Sequence, residues 1–193
     1  GVYKSWNECK AQVEGYDGAI YKSFSTQEEA ERAFNDSPWN YVGKNAEKKK
    51  VPSIHNNPDI IKDSLSVDAA CSGNPGLLEY RGVYVKTGEQ VFHQGPFEKG
   101  TNNVGEFLAL VHGLALLKQK GFAIPIYSDS ANAIKWVQEK KCKTKLERVP
   151  ENESLFYMIE RAEKWLRENN YATRIIKWET SKWGEIPADF GRK

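Results

Sequence analysis

From Ser64 onward, apolar and polar residues alternate, with Leu65, Val67 and Ala69 against Ser66, Asp68 and Ala70. A period of two predicts a strand. Two more strand-like runs, 80–86 and 90–92, flank Thr87-Gly88-Glu89 and predict a hairpin. Residues 102–119 read as a helix stopped by Gly121, 125–129 as a strand, and 130–141 as a second helix. Residues 153–169 carry Leu155, Ile159, Ala162 and Leu166 on one helical stripe. A last strand over 174–179 and a short C-terminal helix follow. Three strands followed by alternating helices and strands predict an α/β domain, a mixed sheet with helices on its faces.

The first 35 residues have a different texture. Ser5-Trp6-Asn7-Glu8 and Ser25-Thr26-Gln27-Glu28 both have capping-box spacing, predicting helices to about Val13 and through Phe34. Between them, 19–24 is strand-like, with Ile20 and Phe24 at even spacing. Such a partial α+β module is too small to bury much core. Residues 36–62 read as a linker, with Asp36-Ser37-Pro38, Lys48-Lys49-Lys50 and Asn56-Asn57-Pro58 disfavouring packed elements. The main domain then occupies 63–193.

Composition narrows the choices little. With 193 residues, 39% hydrophobic and 12% aromatic, the chain can build one core and a small module. A formal charge of +2 does not announce a nucleic-acid binder. The distribution says more, because Lys135, Lys140, Lys141, Lys143, Lys145 and Arg148 fall within fourteen residues. That cluster suits phosphate, or a solvated helix face. Three scattered cysteines without a Cys-x-x-Cys pair support neither a zinc site nor a disulfide framework. The longest apolar stretch, 107–117, is too short to span a bilayer. A cytoplasmic monomer without a membrane partner is the expectation.

Five carboxylates stand out. Asp68 interrupts an apolar strand, Glu106 opens an apolar helix, and Asp129 ends a strand where open sheets place ligand groups. Glu185 and Asp189 are four apart around Pro187, which predicts Asp189 on a helix and Glu185 in the loop leading into it. Ionised groups in apolar settings need compensation, and converging ones suit divalent cations. Plainer roles stay open: a half-exposed strand position for Asp68, a capping box with Asn103 for Glu106, a helix N-cap for Asp129.

Taken together, the stretches Ser66-Val67-Asp68-Ala69-Ala70-Cys71-Ser72-Gly73-Asn74-Pro75-Gly76, Thr101-Asn102-Asn103-Val104-Gly105-Glu106, Tyr127-Ser128-Asp129-Ser130 and Trp183-Gly184-Glu185-Ile186-Pro187-Ala188-Asp189 resemble type 1 ribonuclease H over about residues 64–193. The resemblance implies a five-stranded mixed sheet flanked by helices. It also implies hydrolysis of the RNA strand of RNA–DNA hybrids to 5′-phosphate and 3′-hydroxyl ends. Asp68, Glu106, Asp129 and Asp189 would ligate two Mg²⁺, with Mn²⁺ able to substitute, and Asp68 would bridge them. Two such ions ~3.5–4 Å apart activate water and stabilise the leaving oxygen. Glu185 stands where other branches carry a loop histidine; it would help position one metal and assist product release.

The same resemblance implies substrate contacts. Cys71, Ser72, Gly73 and Asn74, with Glu106, would line the RNA edge, whose 2′-hydroxyl distinguishes the strands. Asn102 and Asn103 sit at a helix start suited to base edges or phosphate. Thr101, Asn103, Thr144 and Lys145 match a DNA-phosphate pocket, Trp136 and Thr180 match DNA contacts, and Lys177 matches an RNA-backbone contact. Trp136 has a core aromatic as its alternative. Ala131 departs from the pattern, since close relatives carry a glutamine there. The N-terminal stretch resembles a hybrid-binding domain lacking its first strand, with Trp6, Tyr21 and Lys22 at contact positions. Two rivals remain: a non-catalytic hybrid binder, and a DNA-cutting nuclease on the same fold.

Overall fold

The computed structural model describes residues 1–14, 21–24, 26–35 and 57–191. The chain forms two compact units, 1–50 and 51–193. In the first, helix α1 (Trp6–Val13) starts at Ser5, whose hydroxyl accepts the Glu8 N–H. Glu8 reaches back to the Lys4 N–H at 3.1 Å, one residue earlier than a reciprocal box requires. Helix α2 (Gln27–Asn35) has the full box one residue later than the sequence suggests. Thr26 Oγ1 accepts from Glu29 N and Glu29 Oε2 from Thr26 N, at 3.2 and 3.3 Å. Neither helix buries a residue. The strand expected over 19–24 is not formed over 21–24, and its first two residues lie outside the described ones.

The second unit is built on a five-stranded mixed sheet of order β3-β2-β1-β4-β5. Strand β1 (Leu65–Gly73) pairs antiparallel with β2 (Gly76–Tyr84), which pairs antiparallel with β3 (Glu89–Gly100). On its other side β1 runs parallel to β4 (Ile126–Ser128), and β4 parallel to β5 (Ile175–Lys177). Strand β3 extends eight residues past the expected end at Phe92. Gly95 and Pro96 fall inside this extension, and β3 is an edge strand, where a missing N–H costs no ladder bond. Register shifts against β2 absorb the irregularity.

Helix α3 (Asn102–Lys120) is apolar almost all round because it lies within the structure, burying Val104 through Val111. Gly121 ends it at φ 70°, giving its N–H to Leu117 and Lys118 carbonyls. Its core includes Phe107, Leu110 and Leu114, with Leu65 and Val67 of β1 and Leu155 and Leu166 of helix α5 (Glu153–Glu168). Helix α4 (Ala131–Gln138) closes one flank through Ala133 and Val137. Successive strand residues face opposite ways. Thus Ile126 joins this core, while Tyr127 joins a second cluster with Ile60, Val85, Trp178 and Ile186. Trp178 is fully buried, with its indole N–H on the Gly184 carbonyl at 2.8 Å. Ile60, at the end of the stretch read as a linker, packs there, and the Ile61 N–H donates to the Tyr127 hydroxyl. A short helix, α6 (Thr180–Trp183), follows β5. No helix among the described residues is long and apolar enough to cross a membrane.

Candidate active site

Asp68 projects from the middle of β1, Asp129 follows the end of the parallel neighbour β4, and Glu106 sits in the second turn of α3. One carboxylate oxygen from each lies within 4.8 Å of the others. Asp68 is 7% exposed and Glu106 9%, so neither is a half-solvated surface acid. The plainer roles fail on geometry. Helix α3 begins after Thr101, so Asn103 and Glu106 are both inside it and form no capping box. Instead the Asn102 amide donates to Glu106 Oε1 at 2.8 Å. Helix α4 is capped by Ser130, whose hydroxyl accepts the Ala133 N–H, not by Asp129.

The electrostatics follow from this crowding. Burial, then the Asp129 charge, pushes the Asp68 carboxyl up to about 8; Glu106 and Asp189 add to the rise, and a backbone bond from Ala69 opposes it. Burial also lifts Glu106 to about 7, helped by Asp129 and opposed by the Ser130 hydroxyl and the Lys177 charge. A divalent cation would favour the ionised forms, and an all-oxygen donor set suits Mg²⁺. The residues therefore fit such an ion.

Asp189 lines the same cavity, of about 350 Å³, together with Cys71, Ser72 and Asn102. It is not on a helix, contrary to expectation. The helix comes earlier, at α6, and ends at Gly184, which has φ 76° and ψ −164°. After Pro187 a single turn closes through Asp189 N and the Ile186 carbonyl. The Asp189 carboxylate then takes the N–H of Gly191, itself at φ 67°, so side-chain bonding replaces a helical ladder. Glu185 is exposed in the bend after Gly184 and does not line the cavity.

A second, larger cavity of about 790 Å³ brings Thr101, Asn103, Thr144 and Lys145 together, with Asn74 and Trp136 on its wall. Trp136 serves two purposes: it is half-buried with its ring edge-on to Phe107, and it faces the groove. Gly73 turns the chain between β1 and β2 at φ 106°. Lys177 ends β5 close enough to act on Glu106, and Thr180 opens α6, exposed. In the N-terminal unit the Trp6 and Tyr21 rings lie 5.2 Å apart and the Lys22 ammonium sits over Phe24.

Much of the basic cluster lies off the helix, since α4 ends at Gln138. Lys141, Lys143 and Arg148 are engaged with Glu163, Glu139, and Glu153 and Glu160. Among the described residues Lys145 forms no ion pair. The segment 142–149 has no regular structure and is fastened by two buried polar residues the sequence reading missed. Glu163 accepts from Cys142 N and Lys141 Nζ at 3.0 and 2.8 Å. Asn152 accepts from Val149 N and donates to the Glu147 carbonyl, both at 2.9 Å. One signal was available for Glu163: it lies four residues after Ile159 and three before Leu166, on the apolar stripe.

The chain belongs to the ribonuclease H family: the model described as RNase H matches residues 63–180. Residues 1–34 match the Ribonuclease H1 N-terminal domain. Ribonuclease H of Thermoanaerobacter sp. (strain X514) is 35% identical over 86 residues, 45% of this chain and 54% of that one. Ribonuclease H of Saccharomyces cerevisiae is 63% identical over 30 residues, 16% of this chain and 9% of that one. The chain thus spans about half, or much less, of these relatives' lengths. Among solved structures, an RNase H1 isolated from compost by a metagenomic approach aligns with TM-score 0.40 and 19% identity, over 62% of this chain and 87% of that one.

Proposed function

We propose that this chain is a divalent-metal-dependent endoribonuclease that hydrolyses the RNA strand of RNA–DNA hybrids, leaving 5′-phosphate and 3′-hydroxyl ends. The observation carrying this reading is the meeting of Asp68, Glu106 and Asp129 within 4.8 Å at a buried sheet end in a ribonuclease H family domain. Asp68, Glu106, Asp129 and Asp189 would hold two Mg²⁺, or Mn²⁺ in their stead, with Glu185 assisting from its exposed bend. When bound, such ions supply Lewis acidity and a nucleophile from water at neutral pH.

The protein's own residues orient the substrate. Thr101, Asn103, Thr144 and Lys145 would hold a phosphate of the DNA strand by hydroxyl, amide and ammonium donors. Trp136 and Thr180 would bear on the same strand and Lys177 on the RNA backbone. The turn Cys71–Asn74, with Asn102 and Asn103, would present backbone and amide groups to the minor groove, where the 2′-hydroxyl is displayed. In the N-terminal unit Trp6 and Tyr21 would stack on sugars and Lys22 meet phosphate.

The test is digestion of an end-labelled hybrid beside matched RNA–RNA and DNA–DNA duplexes, in Mg²⁺ and in chelator, with Asp129→Asn in parallel. Cutting of the hybrid's RNA strand alone, lost in chelator and in the variant, is the expected result. Hybrid binding without cutting would favour a binding module, and cutting of DNA–DNA a different nuclease.

A further inference from the structure

Arg81 lies on β2 directly across from Asp68 on β1, and across from His93 on β3. Cross-strand partners share a face. The row Asp68, Arg81, His93 therefore runs outward from the carboxylate site, and the segment 186–190 crosses over it. The Arg81 Nε donates to the Ala188 carbonyl at 2.8 Å and its Nη2 to the Asp189 carbonyl at 2.6 Å. The guanidinium carbon lies 4.7 Å from the centroid of the Phe190 ring, which is also 6.1 Å from that of His93. The other end of the segment is fastened by Ile186, buried in the second core cluster. Asp189 thus hangs between an apolar anchor and a cationic one.

We infer that Arg81 is the positioning residue for Asp189: its guanidinium fixes the height of the Asp189 backbone over the sheet, and so the reach of that carboxylate toward Asp68. This rests on the reading of Asp189 as a metal ligand. The clamp needs an arginine. Two donors in a planar fork meet two consecutive carbonyls, and the same plane lies against an aromatic ring. A lysine keeps the charge but offers one point of attachment.

The test combines Mg²⁺ binding by calorimetry on substrate-free protein, amide hydrogen exchange at Asp189 and Gly191 in chelator, and hybrid cleavage. Arg81→Ala is expected to weaken Mg²⁺ binding about 10-fold, the low end for residues that orient metal ligands. It should also speed exchange at both amides. Hybrid affinity in chelator should stay within about twofold, since Arg81 touches no proposed substrate contact. Arg81→Lys should fall near Arg81→Ala, and it carries the test should the alanine variant not fold. In an Asp189→Asn background, Arg81→Ala should add no further loss of Mg²⁺ affinity. Parental Mg²⁺ affinity in folded Arg81→Ala or Arg81→Lys overturns the inference, as does an undiminished loss in the Asp189→Asn background. A parent that binds Mg²⁺ yet leaves the hybrid uncut refutes the nuclease reading alone, because calorimetry and exchange still decide the role of Arg81. A parent that binds no Mg²⁺ overturns both.

Discussion

Gly105 is where the fold and the site meet, and Gly105→Ala is the substitution that shows it. A Cβ at this position would lie 2.5 Å from Leu78 Cδ1 and 2.7 Å from Ala69 Cβ. Carbon atoms prefer about 3.5–4.0 Å, so the overlap is close to 1 Å. Leu78 is fully buried, and the Ala69 Cβ is fixed to β1, one residue from Asp68. The Ala69 Cβ has no torsion by which to move away, so α3 must recede from the sheet. Overpacking of this kind costs about 1–3 kcal/mol, and the helix preference of alanine over glycine returns about 1 kcal/mol. An overlap this deep against a fixed Cβ falls in the upper part of that range, so a net loss of about 1–2 kcal/mol follows.

The functional effect should be larger than the stability effect. Glu106 is the next residue and would move with the helix away from Asp68, and a displacement near 1 Å can cost about 100-fold in rate. Gly113→Ala is the control. Its Cβ meets Ile126 Cδ1 and Leu65 Cδ2 at 3.1 Å, both ends of side chains that can yield. Urea denaturation of both variants, with hybrid cleavage at saturating Mg²⁺, tests the account. The expected order is a clear loss of stability and rate for Gly105→Ala and near-parental behaviour for Gly113→Ala. Parental stability and rate in Gly105→Ala, or a greater loss at Gly113, would refute the reasoning.

Three further outcomes are expected. In chelator, the Asp68 carboxyl held near 8 binds a proton that the unfolded chain, at its ordinary 3.8, has released, so parental stability should fall as pH rises through about 8. Asp68→Asn should shrink that fall to the share of Glu106, held near 7, and melt higher than the parent at pH 9, as thermal scans at pH 5.5 and pH 9 would reveal. Glu163→Ala strips the acceptor from Cys142 N and Lys141 Nζ, should cost about 1–3 kcal/mol, and should raise KM for the hybrid more than it lowers kcat; Glu163→Gln, which retains an acceptor, should restore part of both. Lys145→Ala should weaken hybrid binding and reduce the slope of log affinity against log salt by about 1, measured by fluorescence anisotropy across a salt series.

What the sequence revealed and what it hid divide along physical lines. Asp68 and Asp129 stood out because a carboxylate in an apolar strand, or at a strand's end, conflicts with its surroundings. The sheet was legible from alternation along β1 and from the helical stripe of α5. The length of β3 was not, because Gly95 and Pro96 break central strands but not edge strands, and edge position is a property of the whole sheet. The helix expected at Asp189 failed because its own side chain takes the Gly191 N–H, a local competition that spacing does not display. Arg81 acts through the Ala188 and Asp189 carbonyls, 107 and 108 residues away, and such contacts leave no periodic trace. Glu163 was visible as a charge on an apolar stripe.

The most direct test of the central claim is anomalous scattering from Mn²⁺ in crystals of the chain bound to a hybrid with an uncleavable RNA strand. Two peaks about 3.5–4 Å apart are expected, one of them in contact with Asp68 and the pair enclosed by Glu106, Asp129 and Asp189. Crystals with the hybrid seated in the groove and no Mn²⁺ at these carboxylates would contradict it.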